Sequence, residues 1–246
     1  GYLINEFLVE HTNQRTDRWG GSPQARRRFA TEIVRRVRER TGPDFLVMYR
    51  LSALDLVPDA QEFEDVLALG REVEEAGASI INTGIGWHEA RIPTIATSVP
   101  GAGFTWVSRA LRENLSIPIS TVNRINTPEL AEEVLARGDA DLVCMARPFL
   151  ADAAFVAKAR EAQPDRINTC IACNQACLDH TFTGQRMSCL VNPQAMRETD
   201  LILGPTRTAE QIAVVGAGPA GLAFAEAAAE RGHRVTLFEE QPELGG

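Results

Sequence analysis

A glycine-rich turn near the end of the 246-residue chain constrains the fold more than any other feature of the sequence. The turn, Gly216-Ala217-Gly218-Pro219-Ala220-Gly221, has the spacing G-x-G-x-x-G. An apolar strand is predicted before it over residues 211–215, and a helix after it over residues 222–231. A second strand is predicted over residues 235–239. This order of elements is typical of the β-α-β unit of a dinucleotide-binding domain.

The residue types of this unit suit the binding of a dinucleotide. Gly216, Gly218 and Gly221 permit a tight turn and a close approach of the backbone to a pyrophosphate, which the helix N-terminus binds. Glu239 ends the second strand, where an acid takes a ribose hydroxyl. We therefore expect residues 209–246 to be the start of a Rossmann-like domain that is truncated after its first β-α-β unit.

Upstream of this unit, apolar strands alternate with amphipathic helices, which predicts a parallel sheet. The predicted strands cover residues 45–49, 79–83, 118–123 and 141–146, and the predicted helices include residues 24–40, residues 62–76 and a helix that Thr127 caps. Cys144 lies within the last of these strands and is expected to be a small core residue. Four consecutive β/α units fit half of a doubly wound sheet or half of an eight-stranded barrel.

Charged residues at the strand ends favour the barrel. Arg50, His88, Arg124 and Arg147 each lie at or just beyond the C-terminal end of a different predicted strand. A barrel enzyme has its site on that rim and binds phosphate after its last two strands, as Arg124 and Arg147 would do here. We therefore interpret residues 1–163 as the second half of a TIM barrel. For each arginine taken alone, a solvated surface ion pair is the alternative.

Four cysteines lie close together in residues 164–208, a segment with little periodic structure. Cys170, Cys173, Cys177 and Cys189 have the spacing C-x2-C-x3-C-x11-C. Four thiolates in one short segment suit a tetrahedral metal ion or an iron–sulfur cluster. The tight first triplet favours a [4Fe–4S] cluster over zinc, and four unconnected buried thiols are the third alternative.

Two further residues are candidates for catalysis. His88 lies on a glycine-rich loop that begins at a strand end, which suits a catalytic group, although a hydrogen-bonded structural histidine is the alternative. Tyr2 carries a hydroxyl that can serve as a general acid if a neighbour stabilises its anion. The spacing alone does not bring these two residues together.

The composition excludes several classes of protein. The chain has 25 lysines and arginines against 33 acidic residues, and this net charge of −8 argues against a nucleic-acid binder. No apolar run approaches the roughly 18 residues of a membrane span. We expect a cytoplasmic protein without a nucleic-acid or membrane partner. Because the chain begins with Gly1 and stops at Gly246 soon after a strand, we also expect a piece of a longer protein with little activity of its own.

Several segments resemble one family of flavoproteins. Residues 1–21, with Gly1-Tyr2-Leu3-Ile4-Asn5-Glu6-Phe7-Leu8, resemble the old yellow enzyme class of FMN-dependent barrel reductases. The four cysteines and the dinucleotide turn are similar to those of the longer iron–sulfur flavoproteins, which include enoate reductase and trimethylamine dehydrogenase. Residues 82–97 and 168–179 resemble the bacterial NADPH-dependent 2,4-dienoyl-CoA reductases. The resemblance covers nearly the whole chain but only the middle of the family's full length.

The resemblance implies an activity and a set of site residues. Tyr2 would be the proton donor, His88 its partner at the substrate carbonyl, and Arg50 the positive charge beside the flavin ring. The other implied contacts are Arg124, Ala146 and Arg147 for the FMN phosphate, Cys170, Cys173, Cys177 and Cys189 for the [4Fe–4S] cluster, and Gly216, Gly218, Gly221 and Glu239 for FAD. Electrons from NADPH would pass through FAD and the cluster to FMN, which would reduce an acyl-CoA substrate of fatty-acid β-oxidation.

Two alternatives to this activity are open. Another member of the same class, an enoate reductase or an amine dehydrogenase, would share the cofactors and differ in substrate. A non-catalytic iron–sulfur electron carrier would need only the cysteines, and it would have no use for Tyr2 or His88. A colourless protein that contains zinc would instead indicate a structural zinc module.

Overall fold

The computed structural model describes residues 2–87 and 89–245, and these divide between Pro193 and Gln194 into a first and a second compact unit. The helices and strands of the two units are, in chain order, α1 (Leu3–Leu8), α2 (Pro23–Thr41), β1 (Met48–Leu54), α3 (Phe63–Glu75), β2 (Ile80–Ile85), α4 (Thr105–Arg112), β3 (Ile119–Thr121), α5 (Pro128–Ala136), β4 (Leu142–Val143), α6 (Arg147–Ala151), α7 (Phe155–Arg160), α8 (His180–Phe182), β5 (Gln211–Val215), α9 (Pro219–Glu230) and β6 (Arg234–Phe238). A 3₁₀ turn, Pro164–Arg166, and a π turn, Gln175–Asp179, lie between α7 and α8.

The first unit contains a parallel sheet in the strand order β1-β2-β3-β4. Strands that are neighbours in the sequence are also neighbours in the sheet, and a helix follows each of them. A barrel is built in this way, whereas the strand order of a doubly wound sheet reverses. The register pairs Tyr49 with Ile81, Ile81 with Ile119, and Ser120 with Leu142. The first unit is thus a TIM-barrel-like α/β domain, which confirms the predicted fold class.

The main core lies between the sheet and its covering helices. Leu51, Ile81 and Ile119 project from β1, β2 and β3, and Leu69 and Leu111 meet them from α3 and α4. All five side chains are fully buried. Removing such a side chain from water stabilises the fold by about 1.5–3 kcal/mol. Because side chains alternate along a strand, the residues next to Leu51, Ile81 and Ile119 in β1, β2 and β3 face the opposite side of the sheet. The candidate site described below lies on that side.

Local signals fix the ends of several helices. The Thr127 hydroxyl accepts a hydrogen bond from the Leu130 amide at 3.3 Å, which confirms the predicted cap of α5. Ser22 caps α2 in the same way, and Gly42 ends that helix with a positive φ of 81°. Proline occupies the first position of both helices, where its missing N–H has no cost.

Several features of the first unit differ from the predictions. The strand predicted over residues 45–49 begins later, at Met48, and Phe45 is exposed. The guanidinium of Arg38 donates to the carbonyls of residues 42, 43 and 45, so this backbone is satisfied as a turn. Cys144 lies just after the short β4 and is exposed, so its prediction as a core residue was wrong. The helices that were not among the predicted elements are α1, α4, α6, α7 and α8.

The second unit contains the predicted β-α-β arrangement. Strands β5 and β6 pair in parallel over five residues each, and α9 connects them. A Cβ on Gly221 would lie 1.9 Å from the Gly216 carbonyl oxygen, so only glycine fits at the start of this helix. The Rossmann-like segment that the sequence predicted is therefore present. Within the described part of the chain, no helix is both long and apolar enough to cross a membrane.

Candidate active site and cofactor cavities

An open cavity lies at the C-terminal side of the strands in the first unit. Arg50, Arg124, Ala146 and Arg147 line it, and we call it the arginine cavity. These are the four residues that the resemblance assigned to FMN. Among the described lining residues there are three arginines and no carboxylate. The arrangement therefore favours an anion, because guanidinium groups bind phosphate with paired hydrogen bonds.

Arg50 is positioned by the strand beside it. It lies on β1 opposite Asn82 of β2, and its guanidinium donates to the Asn82 side-chain oxygen at 2.5 Å. The amide of Asn82 donates in turn to the Ser120 hydroxyl on β3 at 3.1 Å. Asn82 and Ser120 are both buried. This row of side chains across three strands holds one end of the Arg50 guanidinium at the wall of the cavity.

Arg124 follows β3 in an unusual backbone conformation. Asn123 and Arg124 have positive φ angles of 72° and 56°, which cost free energy for residues other than glycine. The Nε of Arg124 donates to the Val99 carbonyl at 2.9 Å, and its own carbonyl accepts from the Ala102 amide at 2.9 Å. The loop before α4 thus holds the strained turn in place. Strain of this kind is typical of residues at ligand sites.

Arg147 begins α6 and lies between two cavities. Its guanidinium donates to the Ile95 carbonyl at 3.0 Å and to the side-chain oxygen of Asn174. Asn174 lies between the second and third cysteines of the cluster motif and has a positive φ of 63°. Within the described residues, no salt bridge is formed by Arg50, Arg124 or Arg147. Their charges are therefore available to a ligand.

The four cysteines line a second, smaller cavity, which we call the cysteine cavity. Burial raises the pKa of the Cys189 thiol, and the neighbouring thiols of Cys170 and Cys177 raise it further. In residues 2–87 and 89–245, no three or more His, Cys, Asp or Glu side chains are grouped as a single metal ion would require. Thiolates are soft ligands of the kind that both iron–sulfur clusters and zinc sites use.

Hydrogen bonds from the barrel hold the cysteine segment. The Asn126 amide donates to the Cys170 carbonyl at 2.8 Å, and the Thr97 hydroxyl donates to the Ile171 carbonyl at 2.7 Å. After the last cysteine, the Asn192 amide donates to the Leu150 carbonyl at 3.0 Å. Cys170 and Arg147 line both the cysteine cavity and the arginine cavity. The two cavities therefore adjoin.

In the second unit, the glycine turn is held by Glu239. Its carboxylate accepts hydrogen bonds from the Gln241 amide at 3.0 Å and from the Ala217 amide at 2.6 Å, and these bonds lower the pKa of Glu239. A Cβ on Gly218 would meet no atom within 4 Å, so the backbone there is open to a close ligand. Glu239 thus stabilises the turn itself, and its predicted contact with a ribose stays a prediction.

The comparisons with known proteins agree with the two kinds of fold. The model of the NADH:flavin oxidoreductase / NADH oxidase family matches residues 1–166. The chain belongs to this family. A model of the NAD(P)-binding Rossmann-like domain matches residues 214–246. The family assignment makes FMN and a nicotinamide dinucleotide the cofactors to consider.

Relatives within and around this family are longer oxidoreductases. A metal reductase of Desulforamulus reducens is 44% identical over the whole chain, which covers 37% of that protein. An NADH oxidase of Thermoanaerobacter brockii is 36% identical, and the chain covers 38% of it. The solved complex of 2-naphthoyl-CoA reductase with 2-naphthoyl-CoA is 35% identical, with a TM-score of 0.96 over the whole chain and 38% of that structure. The chain spans less than two-fifths of these relatives.

Of the two candidate catalytic residues, Tyr2 and His88, the structure describes only Tyr2. Tyr2 directly precedes α1, and its side chain is 77% exposed. His88 lies outside the described residues. Two further residues, Asp55, a buried carboxylate that follows β1, and Asn174, were not predicted from the sequence. The strand-end reasoning that found Arg50 did not reach Asp55, because the strand was predicted to end at residue 49 and β1 in fact continues to Leu54.

Proposed function

We propose that the full-length protein is a flavin-dependent reductase of carbon–carbon double bonds conjugated with a thioester carbonyl. A 2,4-dienoyl-CoA is the substrate that we propose first. The observation that carries the proposal is the arginine cavity, in which Arg50, Arg124 and Arg147 line one site that adjoins four thiols. The solved relative with bound 2-naphthoyl-CoA supports a conjugated acyl-CoA as the substrate class.

The residues of the arginine cavity fit FMN. Three cationic side chains with no carboxylate among the described lining residues suit its phosphate and the negative charge that its ring would carry when reduced. Arg124 and Arg147 would bind the phosphate, Ala146 would pass beside it, and Arg50 would contact the ring. FMN supplies hydride transfer when bound. The chain's own contribution is to fix the position of the ligand and to place positive charge beside it.

The cysteine cavity fits a [4Fe–4S] cluster held by Cys170, Cys173, Cys177 and Cys189. Such a cluster supplies one-electron transfer when bound. Because Cys170 and Arg147 line both cavities, this chain would keep the two redox groups close together. In the second unit, the glycine turn and the N-terminus of α9 would bind the pyrophosphate of FAD, and NADPH would be the electron donor.

Reduction of the double bond also needs one proton, which we assign to Tyr2. The alkene gains a hydride and a proton, and NADPH loses the corresponding two electrons. The Tyr2 hydroxyl would donate the proton, and His88 would hold the substrate carbonyl or polarise the tyrosine. The acyl-CoA is therefore the substrate partner, and the place of the reaction would be fatty-acid β-oxidation.

Anaerobic oxidation of NADPH by the full-length protein tests this proposal. A 2,4-dienoyl-CoA, 2-naphthoyl-CoA and a free enoate are offered separately, and NADH is compared with NADPH. We expect oxidation with the dienoyl-CoA, loss of most of that rate in Tyr2→Phe, and normal FMN content in the variant. Oxidation with the free enoate alone would overturn the thioester assignment, and oxidation with none of the three would overturn double-bond reduction. Iron with no turnover of any acceptor would indicate an electron carrier.

A further inference from the structure

A buried carboxylate joins the two segments that carry the candidate catalytic residues. Asp55 follows β1 and is 3% exposed. Its Oδ1 accepts from the Asn5 amide at 2.9 Å and from the Trp87 indole N–H at 2.7 Å. Its Oδ2 accepts from the Gln61 side-chain amide at 3.2 Å and from the Gln61 backbone N–H at 3.4 Å. These donors come from α1, from the chain after β2 and from the chain before α3.

The end of β1 is shaped to aim this carboxylate inward. The pairing of Ser52 with Gly84 is followed by the pairing of Leu54 with Ile85, so β1 has one extra residue there. A bulge of this kind redirects the side chains that follow it and is common beside active sites. The backbone pairing then continues past the strand, because the Trp87 amide donates to the Asp55 carbonyl at 3.0 Å.

The described partners of Asp55 set it apart from the other buried carboxylates of the first unit. Asp139 pairs with Arg109 and Arg137, and Asp152 pairs with Lys158. Asp55 is instead surrounded, among the described residues, by the neutral donors of an asparagine, a glutamine and a tryptophan. Burying a carboxylate without a cation is costly, so it persists where the donors and the segments that carry them are held firmly.

The positions of the donors indicate what this carboxylate does. Asn5 lies on the first turn of α1, in which the Glu6 amide bonds the Tyr2 carbonyl at 3.0 Å. Trp87 immediately precedes His88 in the sequence. One carboxylate oxygen thus connects the helix that follows the proposed proton donor to the chain that leads into its proposed partner. We propose that Asp55 is a positioning residue that holds α1, and with it Tyr2, in register with the loop of His88.

This inference rests on the proposed function, and its test separates the two. In the full-length protein, Asp55→Ala removes all four hydrogen bonds to the carboxylate, whereas Asp55→Asn keeps an acceptor oxygen for Asn5 and Trp87. Asp139→Asn is the matched control, because it perturbs a carboxylate that is equally buried but bonded to other elements. Reoxidation of the reduced flavin is followed with a conjugated alkene, which needs a proton, and with ferricyanide, which needs none.

We expect Asp55→Ala to slow reoxidation by the alkene about tenfold or more, because a misplaced acid is a poor donor. Reoxidation by ferricyanide and reduction by NADPH should change by less than about threefold, and Asp55→Asn should restore most of the alkene rate. Equal slowing with both oxidants, or the same pattern in Asp139→Asn, would show that Asp55 has only a structural role.

Hydrogen exchange gives a readout that does not depend on any substrate. In Asp55→Ala, the amides of α1 and of Trp87 should exchange faster than in the wild type, and in Asp139→Asn they should not. If the wild-type protein reduces no conjugated alkene, the proposed function fails while this measurement still decides the inference. Unchanged exchange in either segment of Asp55→Ala would overturn it.

Discussion

Replacing Arg147 by glutamine is the sharpest test of the arginine cavity. The guanidinium of Arg147 donates to the Ile95 carbonyl and to the Asn174 side chain, and it lines both cavities of the first unit. Glutamine is shorter and neutral, so it loses both internal contacts and any contact with a phosphate. The internal contacts exist with or without a ligand, whereas the phosphate contact exists only in the bound form. Unfolding of the apo-protein therefore measures the loss of the internal contacts, and titration with FMN measures the loss of the phosphate contact.

The size of each effect follows from these contacts. Two partly buried hydrogen bonds at about 1 kcal/mol each predict that the apo-protein is destabilised by about 2 kcal/mol. A charge-assisted bond to a phosphate contributes about 1.5–3 kcal/mol, so FMN should bind roughly 10- to 150-fold more weakly. Arg147→Lys keeps the charge but loses the forked geometry of the guanidinium. We expect its stability and its affinity for FMN to lie between those of the wild type and those of Arg147→Gln.

Titration of the full-length apo-protein with FMN, followed by flavin fluorescence, measures the binding, and urea unfolding measures the stability. Arg109→Gln is the matched control: Arg109 pairs with the buried Asp139 and lines a different, open surface. That variant should lose stability and keep its affinity for FMN. If Arg147→Gln bound FMN within about twofold of the wild type, the phosphate assignment would be refuted. Equal weakening in Arg109→Gln would attribute the effect to general destabilisation.

Two further predictions concern the cysteine cavity and the glycine turn. Cys189→Ser should lower the iron content of the full-length protein well below roughly four atoms per chain. Cys144→Ser is the control, because it alters a thiol outside the cysteine cavity and should leave the iron content unchanged. Equal iron loss in both variants would contradict the ligand assignment. Gly221→Ala places a Cβ 1.9 Å from the Gly216 oxygen and should destabilise the second unit by about 1–3 kcal/mol, as thermal unfolding would show. Gly218→Ala should leave that unit folded but reduce its FAD content. Gly204→Ala, which also places its Cβ in open space, should change neither the folding nor the FAD content. Normal FAD binding in Gly218→Ala would exclude a close approach of the pyrophosphate to the backbone at Gly218.

The second unit was predicted closely because glycines mark its boundaries. β5 matches the predicted strand, and β6 is displaced by a single residue. The apolar run at residues 45–49 carried no such marker. The hydrophobicity of this run predicted a strand but not the residue at which its pairing with β2 begins. That residue depends on Arg38, whose contacts with the carbonyls of residues 42, 43 and 45 hold the preceding backbone as a turn.

The candidate site was predictable where the topology alone brings residues together. The ends of neighbouring parallel strands meet at one rim, so arginines at strand ends were expected to share a cavity. Arg50, Arg124 and Arg147 do share one, although Arg50 lies within β1 and not at its end as predicted. Asn82, Asn174 and Asp55 had no such signal. A single polar residue in a strand or loop has no periodic pattern, and its role depends on the side chain that it meets across the fold.

The contacts between the barrel and the cysteine segment indicate how the two cavities depend on each other. Side chains of Asn126 and Thr97 donate to backbone carbonyls of the segment, and Arg147 donates to the side chain of Asn174. At about 1 kcal/mol each, these bonds give the segment a conformation that does not depend on thiol ligation alone. Loss of a cluster ligand should therefore cost iron before it costs FMN. Loss of Arg147 should disturb both sites, because this one side chain forms a wall of each cavity.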